Sequence, residues 1–417
     1  MLRPIRVLCA VFVLASFCVF SPIHTNSQRP GNKRSGTNEP VTTIPVEIPS
    51  YGIIFLKAQI NNSAPLWFAL DSGAQSPFLL NTSRALSLGY QLGNGPTLAG
   101  GAGDGNYQTQ FARNISVSIP GLTLPHQPYA TTLNLSMIET LAGRNVDGLI
   151  GTHVFNRFVV EIDYLLNRVK LYDPKNYSYT GSGEVLPVTI ENGYFFVAAT
   201  LSISATENIS GKFLVDTGGG MVTAILTTPF VESRKLVQSL GKTIRDDSLS
   251  ALGGDVRLLV TRVSALKLGN LTFPQPVIHL SHNKSGALAS HEFDGVIGAE
   301  LLRRFRVVFD YSRQRLILEP NKNFSQPFDY NMTGISVRAS GSDFKTFRVY
   351  QVLNDSPGSD AGVRTGDRIA SVNGRPASEF SADDFYRMFR ENRDVMRLQL
   401  LRGTETIVAE IKPRRMI

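Results

Sequence analysis

The sequence predicts a mainly β protein: two pseudo-symmetric lobes followed by a small C-terminal domain. Three observations predict it. The apolar stretches are short and rich in Val, Ile, Phe and Tyr, and 36 Gly and 22 Pro break them up; that is the composition of strands and turns. The chain also repeats itself. LWFALDSGAQSPFLL (66–80) returns as KFLVDTGGGMVTAIL (212–226), and DGLIGTHVFNRFVVEIDYLLNRVKLYDP (147–174) returns as DGVIGAELLRRFRVVFDYSRQRLILEP (294–320). The first block recurs after 145 residues (71 to 216) and the second after 147 (147 to 294), so order and internal distance are both kept. A duplication of this kind calls for two copies of one structural unit. Finally, the pattern changes near Phe328, where a third region with its own glycine-marked turns begins.

The 417 residues, 42% apolar and 18% charged, suffice for several domains with real cores. The formal charge of +8 is spread along the chain without a Lys/Arg stripe, which reads as solvated surface; no nucleic-acid partner is expected.

At the N-terminus, Arg3 and Arg6 precede an apolar run from Val7 to Phe20, and a polar stretch follows. This is the pattern of a secretory signal, assigned to 1–24, and the run is short for a membrane-spanning helix. The protein is expected to be secreted or periplasmic; the alternative is a membrane tether by an uncleaved N-terminal segment. Residues 25–45 read as a flexible leader, polar and rich in Pro, Asn, Ser and Thr. The only cysteines, Cys9 and Cys18, lie within the signal, so the mature chain has neither disulfides, thiolate metal sites nor a thiol nucleophile. Ten Asn-x-Ser/Thr triplets are scattered through the rest; they read as turn composition, with glycosylation the alternative.

The first lobe is assigned to 46–180 and the second to 181–325, with the Gly/Ser-containing link at Gly181–Gly183 between them. In each, an apolar run (Leu66–Leu70, Phe213–Val215) ends in Asp-Ser/Thr-Gly. A rigid strand end places the Asp and partly desolvates it, and the following Gly permits a sharp turn and a close approach by a second backbone. The hydroxyls of Ser72 and Thr217 can bond across to the other copy. If the copies meet about a pseudo-twofold axis, Asp71 and Asp216 face each other. Two carboxylates about 3 Å apart cannot both ionise, so the pair shares a proton. One carboxylate then activates a water while the other protonates a scissile carbonyl, with apparent pKa values that belong to the pair. Asp147 and Asp294, and Asp163 and Asp310, read as backbone-capping and turn-opening residues.

The two halves resemble aspartic proteases of the pepsin and retropepsin kind. Each has an apolar strand, Asp-Ser/Thr-Gly, a second apolar strand, a Gly-containing hairpin and an apolar-apolar-Gly element, here Leu149-Ile150-Gly151 and Val296-Ile297-Gly298. The resemblance covers about 275 residues and implies an acid-protease double β-barrel. It also implies that Asp71 and Asp216 are catalytic, supported by Ser72, Gly73, Thr217 and Gly218. It makes Leu98–Tyr107 and Leu252–Asp255 flap-like hairpins, with Gly101, Gly103, Tyr107, Gly253 and Gly254 as candidates. The chain departs from the family in carrying Ser72 in the first copy, where Thr is common, and Gly219–Gly220 after the second. No residue clearly plays a pepsin's flap tyrosine; Tyr107 qualifies by position alone.

The third region, assigned to 328–415, contains SPGSDAGVRTGDRIASVNG (356–374). It resembles PDZ domains of bacterial exported proteases. In that family a peptide C-terminus adds as a strand and backbone N–H groups hold its carboxylate. The resemblance implies that Gly334, Ile335 and Ser336 receive the tail and that Phe385, on a helix at Ala382–Arg390, lines the groove.

No H-E-x-x-H, G-x-S-x-G or S-x-x-K motif is present, and the histidines lack ligand spacing. The expectation is an aspartic endopeptidase with no metal and no cofactor, acting on polypeptides and binding peptide C-termini through the PDZ domain. The alternative is a catalytically inactive aspartic-protease-like scaffold that presents a peptide-binding PDZ domain.

Overall fold

In the computed structural model, residues 38–76, 78–99, 101–204 and 206–417 are described; the signal assigned to 1–24 and most of the leader lie outside them. Among the described residues, no helix is long and apolar enough to cross a membrane. Positions 42–45, assigned to the leader, are instead the start of a strand, Thr42–Glu47. Its side chains alternate buried and exposed, so Ile44 and Val46 enter the core while Pro45 stays outside. The strand pairs with Arg168–Tyr172 as far as Pro45 and with Ile54–Ile60 from Val46 onward. Proline, lacking a donor, sits at the switch between the two partners.

The repeat in sequence becomes a repeat in strand pairing. In the first half Leu66–Leu70 runs parallel to Gly148–Ile150, which in turn lies antiparallel to Phe78–Asn81. In the second half Asn208–Val215 runs parallel to Gly295–Ile297, which lies antiparallel to Ala224–Leu226. Both short central strands, Gly148–Ile150 and Gly295–Ile297, are buried throughout. The halves are joined by a shared sheet, in which Val159–Asp163 pairs antiparallel with Phe305–Asp310. One apolar cluster holds them together, with Phe155, Phe195, Phe213, Phe305 and Phe309 fully buried in it. Burying a side chain of this size contributes about 1.5–3 kcal/mol.

The acidic residues outside the Asp-Ser/Thr-Gly copies have structural partners. Asp147 accepts from the Trp67 N–H at 2.7 Å and pairs with Arg84 at 2.6 Å; Asp294 accepts from the Lys212 N–H at 2.7 Å. Asp163 takes the N–H groups of Leu165 and Leu166, and Asp310 is held by Arg313 and Arg315.

The C-terminal region forms a separate sheet from Ile335–Ser340, Thr346–Val352, Arg368–Val372, Met396–Arg402 and Glu405–Ile411. Helix Ala382–Glu391 begins with a capping box, Ser381 bonding the Asp384 N–H and Asp384 bonding back. Phe385 is fully buried, stacked among Phe347, Phe380 and Phe389. It therefore belongs to the core of this domain and does not face a groove. The helix turns its other side, Tyr386 and Arg390, toward the first two lobes.

Candidate active site

The two Asp-Ser/Thr-Gly turns meet across the join between the halves, and their hydrogen bonds are reciprocal. The Ser72 hydroxyl donates to the Val215 carbonyl at 2.8 Å and accepts from the Thr217 N–H at 3.0 Å. The Thr217 hydroxyl donates to the Leu70 carbonyl at 2.9 Å and accepts from the Ser72 N–H at 2.9 Å. Both residues are buried, at 1% and 0% exposure. A buried donor or acceptor must find a partner, so the two strand ends are locked together. Each Asp is set by its own turn: Gly73 N–H donates to Asp71 Oδ1 and Gly218 N–H to Asp216 Oδ1, both at 2.8 Å. The Asp71 and Asp216 N–H groups donate to Ile150 and Ile297, which lie in the apolar-apolar-Gly elements, both at 2.9 Å.

The glycines cross over. A Cβ on Gly73 would stand 2.8 Å from Asp216 Cγ, and one on Gly218 would stand 2.6 Å from Asp71 Cγ. Only hydrogen at these positions lets the carboxyls approach each other.

The electrostatics follow from this closeness. Burial, the charge of Asp216 and a hydrogen bond between the two carboxyls hold Asp71 well above the usual carboxylate range. Burial also raises Asp216, but the Asp71 hydrogen bond and the N–H groups of Gly218, Gly219 and Gly73 oppose it. Both carboxyls are thus pushed upward by burial, Asp71 further by its neighbour, and the two titrate as a pair.

A hairpin from each half meets the other at its tip. Gly93–Ala99 pairs with Asn106–Ile115, and Ser250–Ala251 pairs with Gly254–Asp255. Gly253 and Gly254 turn the second with φ of +95° and +108°. Their tips bind each other: Gly103 N–H donates to the Leu252 carbonyl at 3.0 Å and Asp104 N–H to the Asp255 carbonyl at 3.1 Å. The Gly101 carbonyl accepts from Ala287 N–H at 2.7 Å. Tyr107 lies half-buried with Leu252 and Met221 in one apolar cluster, and burial raises its phenol.

Several contributors were not foreseen from the sequence. Asp104 pins the first tip to the second half through the N–H groups of Lys284 and Ser285, at 2.6 and 2.7 Å, and through Arg257 at 3.2 Å. Tyr194 stands close enough to Asp71 and Asp216 that their charge, added to burial, raises its phenol. Asp104 sits in a Gly-rich turn and Tyr194 heads strand Tyr194–Ser202 just after Asn192-Gly193, and neither stretch carries a signal of a role.

Of the residues expected to bind a peptide tail, Gly334 immediately precedes the C-terminal domain's first strand, and Ile335 and Ser336 begin it, beside helix Ala382–Glu391. Ile335 is fully buried, and the Ser336 hydroxyl faces the cavity between this domain and the lobes without a hydrogen-bond partner.

Residues 56–154 match the aspartyl protease family, and residues 348–402 match the PDZ domain. No curated protein matches the chain in sequence. Among solved structures, the chain is similar to the aspartic proteinase from Irpex lacteus at 14% identity and a TM-score of 0.41, over 68% of this chain and 98% of that one. By its family matches, the chain carries an aspartyl protease domain followed by a PDZ domain.

Proposed function

We propose that the chain is an aspartic endopeptidase whose single active site is the Asp71–Asp216 pair. One observation carries the reading: a buried, reciprocal hydrogen-bond lock between equivalent turns brings two carboxyls together, and burial pushes both upward. Asp216, ionised, takes a proton from a water whose oxygen attacks the peptide carbonyl carbon. Asp71 gives its proton to the carbonyl oxygen, so a neutral diol forms. On collapse the diol returns a proton to Asp71, Asp216 protonates the departing amine, and the C–N bond breaks. Ser72, Thr217, Gly73 and Gly218 hold the geometry, and the hairpins at 101–105 and 252–255 exclude bulk water. The substrate is an extended polypeptide, and the hairpins must part to admit it. The two lobes are assigned to 46–180 and 181–325, and the site of action is outside the cytoplasm, in keeping with the sequence of residues 1–24.

The test is cleavage of denatured casein between about pH 3 and 8, chosen to span the range of carboxyl titration. Wild type is compared with Asp71→Asn and Asp216→Asn. Cleavage by wild type, blocked by a pepstatin-type inhibitor and absent from both variants, supports the reading. A folded wild type that cuts nothing at any pH favours the inactive scaffold.

A further inference from the structure

The PDZ domain turns toward the protease the face that a peptide tail would occupy. Strand Ile335–Ser340 and helix Ala382–Glu391 border a cavity of about 120 Å³ whose opposite wall includes Tyr51, Met221, Leu249, His279 and Glu300. Ligand clefts run to roughly 300–1,000 Å³. The docking is polar as well as apolar: Asp383 accepts from the Ser50 N–H at 2.7 Å, and Arg390 pairs with Glu300 at 3.5 Å.

The donors that would hold a tail carboxylate are already engaged. The N–H groups of Thr333 and Gly334 both donate to Asn331 Oδ1 at 2.9 Å, and that of Ile335 donates to Thr333 Oγ1 at 3.1 Å. Asn331 Nδ2 closes the ring by donating to the Ile335 carbonyl at 2.7 Å. The Asn331 amide thus lies where a ligand carboxylate would.

The same strand reaches the second flap-like hairpin. Arg338 donates to the Ser248 carbonyl and, at 3.1 Å, to the Ser250 hydroxyl. Tyr350, on the adjacent strand under the Arg338 guanidinium, donates to Asp255 Oδ1 at 2.7 Å. Asp255 in turn accepts from Ser250, and its carbonyl accepts from Asp104 in the first tip.

We propose that the PDZ domain is a brace on the closed cleft and does not receive free peptide C-termini. Asn331 fills its carboxylate site, and Arg338 and Tyr350 are positioning residues that hold hairpin 250–255, and through it the tip at 101–105, over the dyad. The inference deepens the peptidase reading, because what the brace holds closed is that reading's cleft.

Two measurements on the whole chain carrying Asp71→Asn test it. A peptide of about ten residues ending in Val with a free carboxylate, and the same peptide amidated, are titrated by fluorescence anisotropy. The two should bind alike to within about threefold, whereas a free carboxylate preferred by about tenfold or more overturns the proposal. Hydrogen exchange is then followed in Arg338→Met and Tyr350→Phe, which keep most of each side chain's bulk. Exchange in 249–256 should quicken about tenfold while that in 396–411 stays as in the parent. Unchanged exchange at 249–256 in both variants, or equal quickening of both segments, overturns it. Neither readout needs cleavage, so a chain that cuts no peptide would sink the peptidase reading and leave this test intact.

Discussion

Thr217→Val removes the hydroxyl from the centre of the lock while keeping the branched shape. The Leu70 carbonyl and the Ser72 N–H lose their partner. Thr217 is fully buried, so water does not replace it. Leaving a buried polar group unpaired costs about 1–3 kcal/mol, so the two together give about 2–6 kcal/mol. That is a large part of the roughly 5–15 kcal/mol that stabilises a typical domain. Because valine fills the same volume, no cavity contribution enters. The assay is urea unfolding at neutral pH, with Thr217→Ser as the control that keeps the hydroxyl and is expected to lie close to wild type. Ser72→Ala removes the mirror pair, the bonds to Val215 and Thr217 N–H, and should cost a similar amount. Once one side has loosened and admitted water, the other matters less, so the double variant should fall short of the sum by about 0.5–3 kcal/mol. Thr217→Val within about 0.5 kcal/mol of wild type would refute the claim that this lock joins the lobes.

Gly218→Ala places a Cβ against Asp71, and moving a reacting group by about 1 Å can lower the rate about 100-fold, so turnover of a chromogenic peptide should fall by that order with the circular dichroism spectrum kept. Turnover within about twofold would contradict the crossed arrangement. Burial and Asp216 raise Asp71, so the folded state holds a proton that the unfolded chain releases; stability from this source is full below the ordinary carboxyl range and is lost as pH rises through the raised value. Asp71→Asn should therefore be more stable than wild type at about pH 7, with a flatter dependence above about pH 4, as read by thermal unfolding. His279 runs the other way: burial pushes it down to about 4, so stability falls as pH drops from its ordinary value of 6.5 toward 4, and His279→Gln should flatten that limb. Asp104→Ala removes charge-assisted bonds to Lys284, Ser285 and Arg257, and hydrogen exchange in 101–107 should quicken about 10–100-fold.

Much of the fold was legible because duplication is a long-range signal carried in a one-dimensional string. Matching Asp71 to Asp216 and Ile150 to Ile297 specifies which strands must play equivalent parts, and the parallel pairings at 148–150 and 295–297 follow that equivalence. The hydroxyls of Ser72 and Thr217 were legible for the same reason: a small polar side chain beside a buried Asp has few places to bond except the other copy. What escaped depends on surfaces that meet far apart in sequence. Nothing near Asn331 announces that its amide will satisfy the N–H groups of Thr333 and Gly334, since the same triplet also reads as a glycosylation site. Phe385 looked like a groove residue by helix position, but Phe347, Phe380 and Phe389 enclose it, and a shift of one residue, about 100° of helical phase, separates it from Tyr386, which packs on Tyr51. The start of the strand at Thr42 was hidden by a polar, proline-containing stretch whose buried positions are only every second residue.

If Asp71 and Asp216 act as one proton-sharing unit, the pH dependence of kcat/KM on a chromogenic peptide must show it. The profile should be bell-shaped with two apparent values belonging to the pair, the upper one raised above the ordinary carboxyl range, and activity should be lost across the whole range in both Asp71→Asn and Asp216→Asn. A profile with a single limb, or substantial activity retained by either variant, would contradict it.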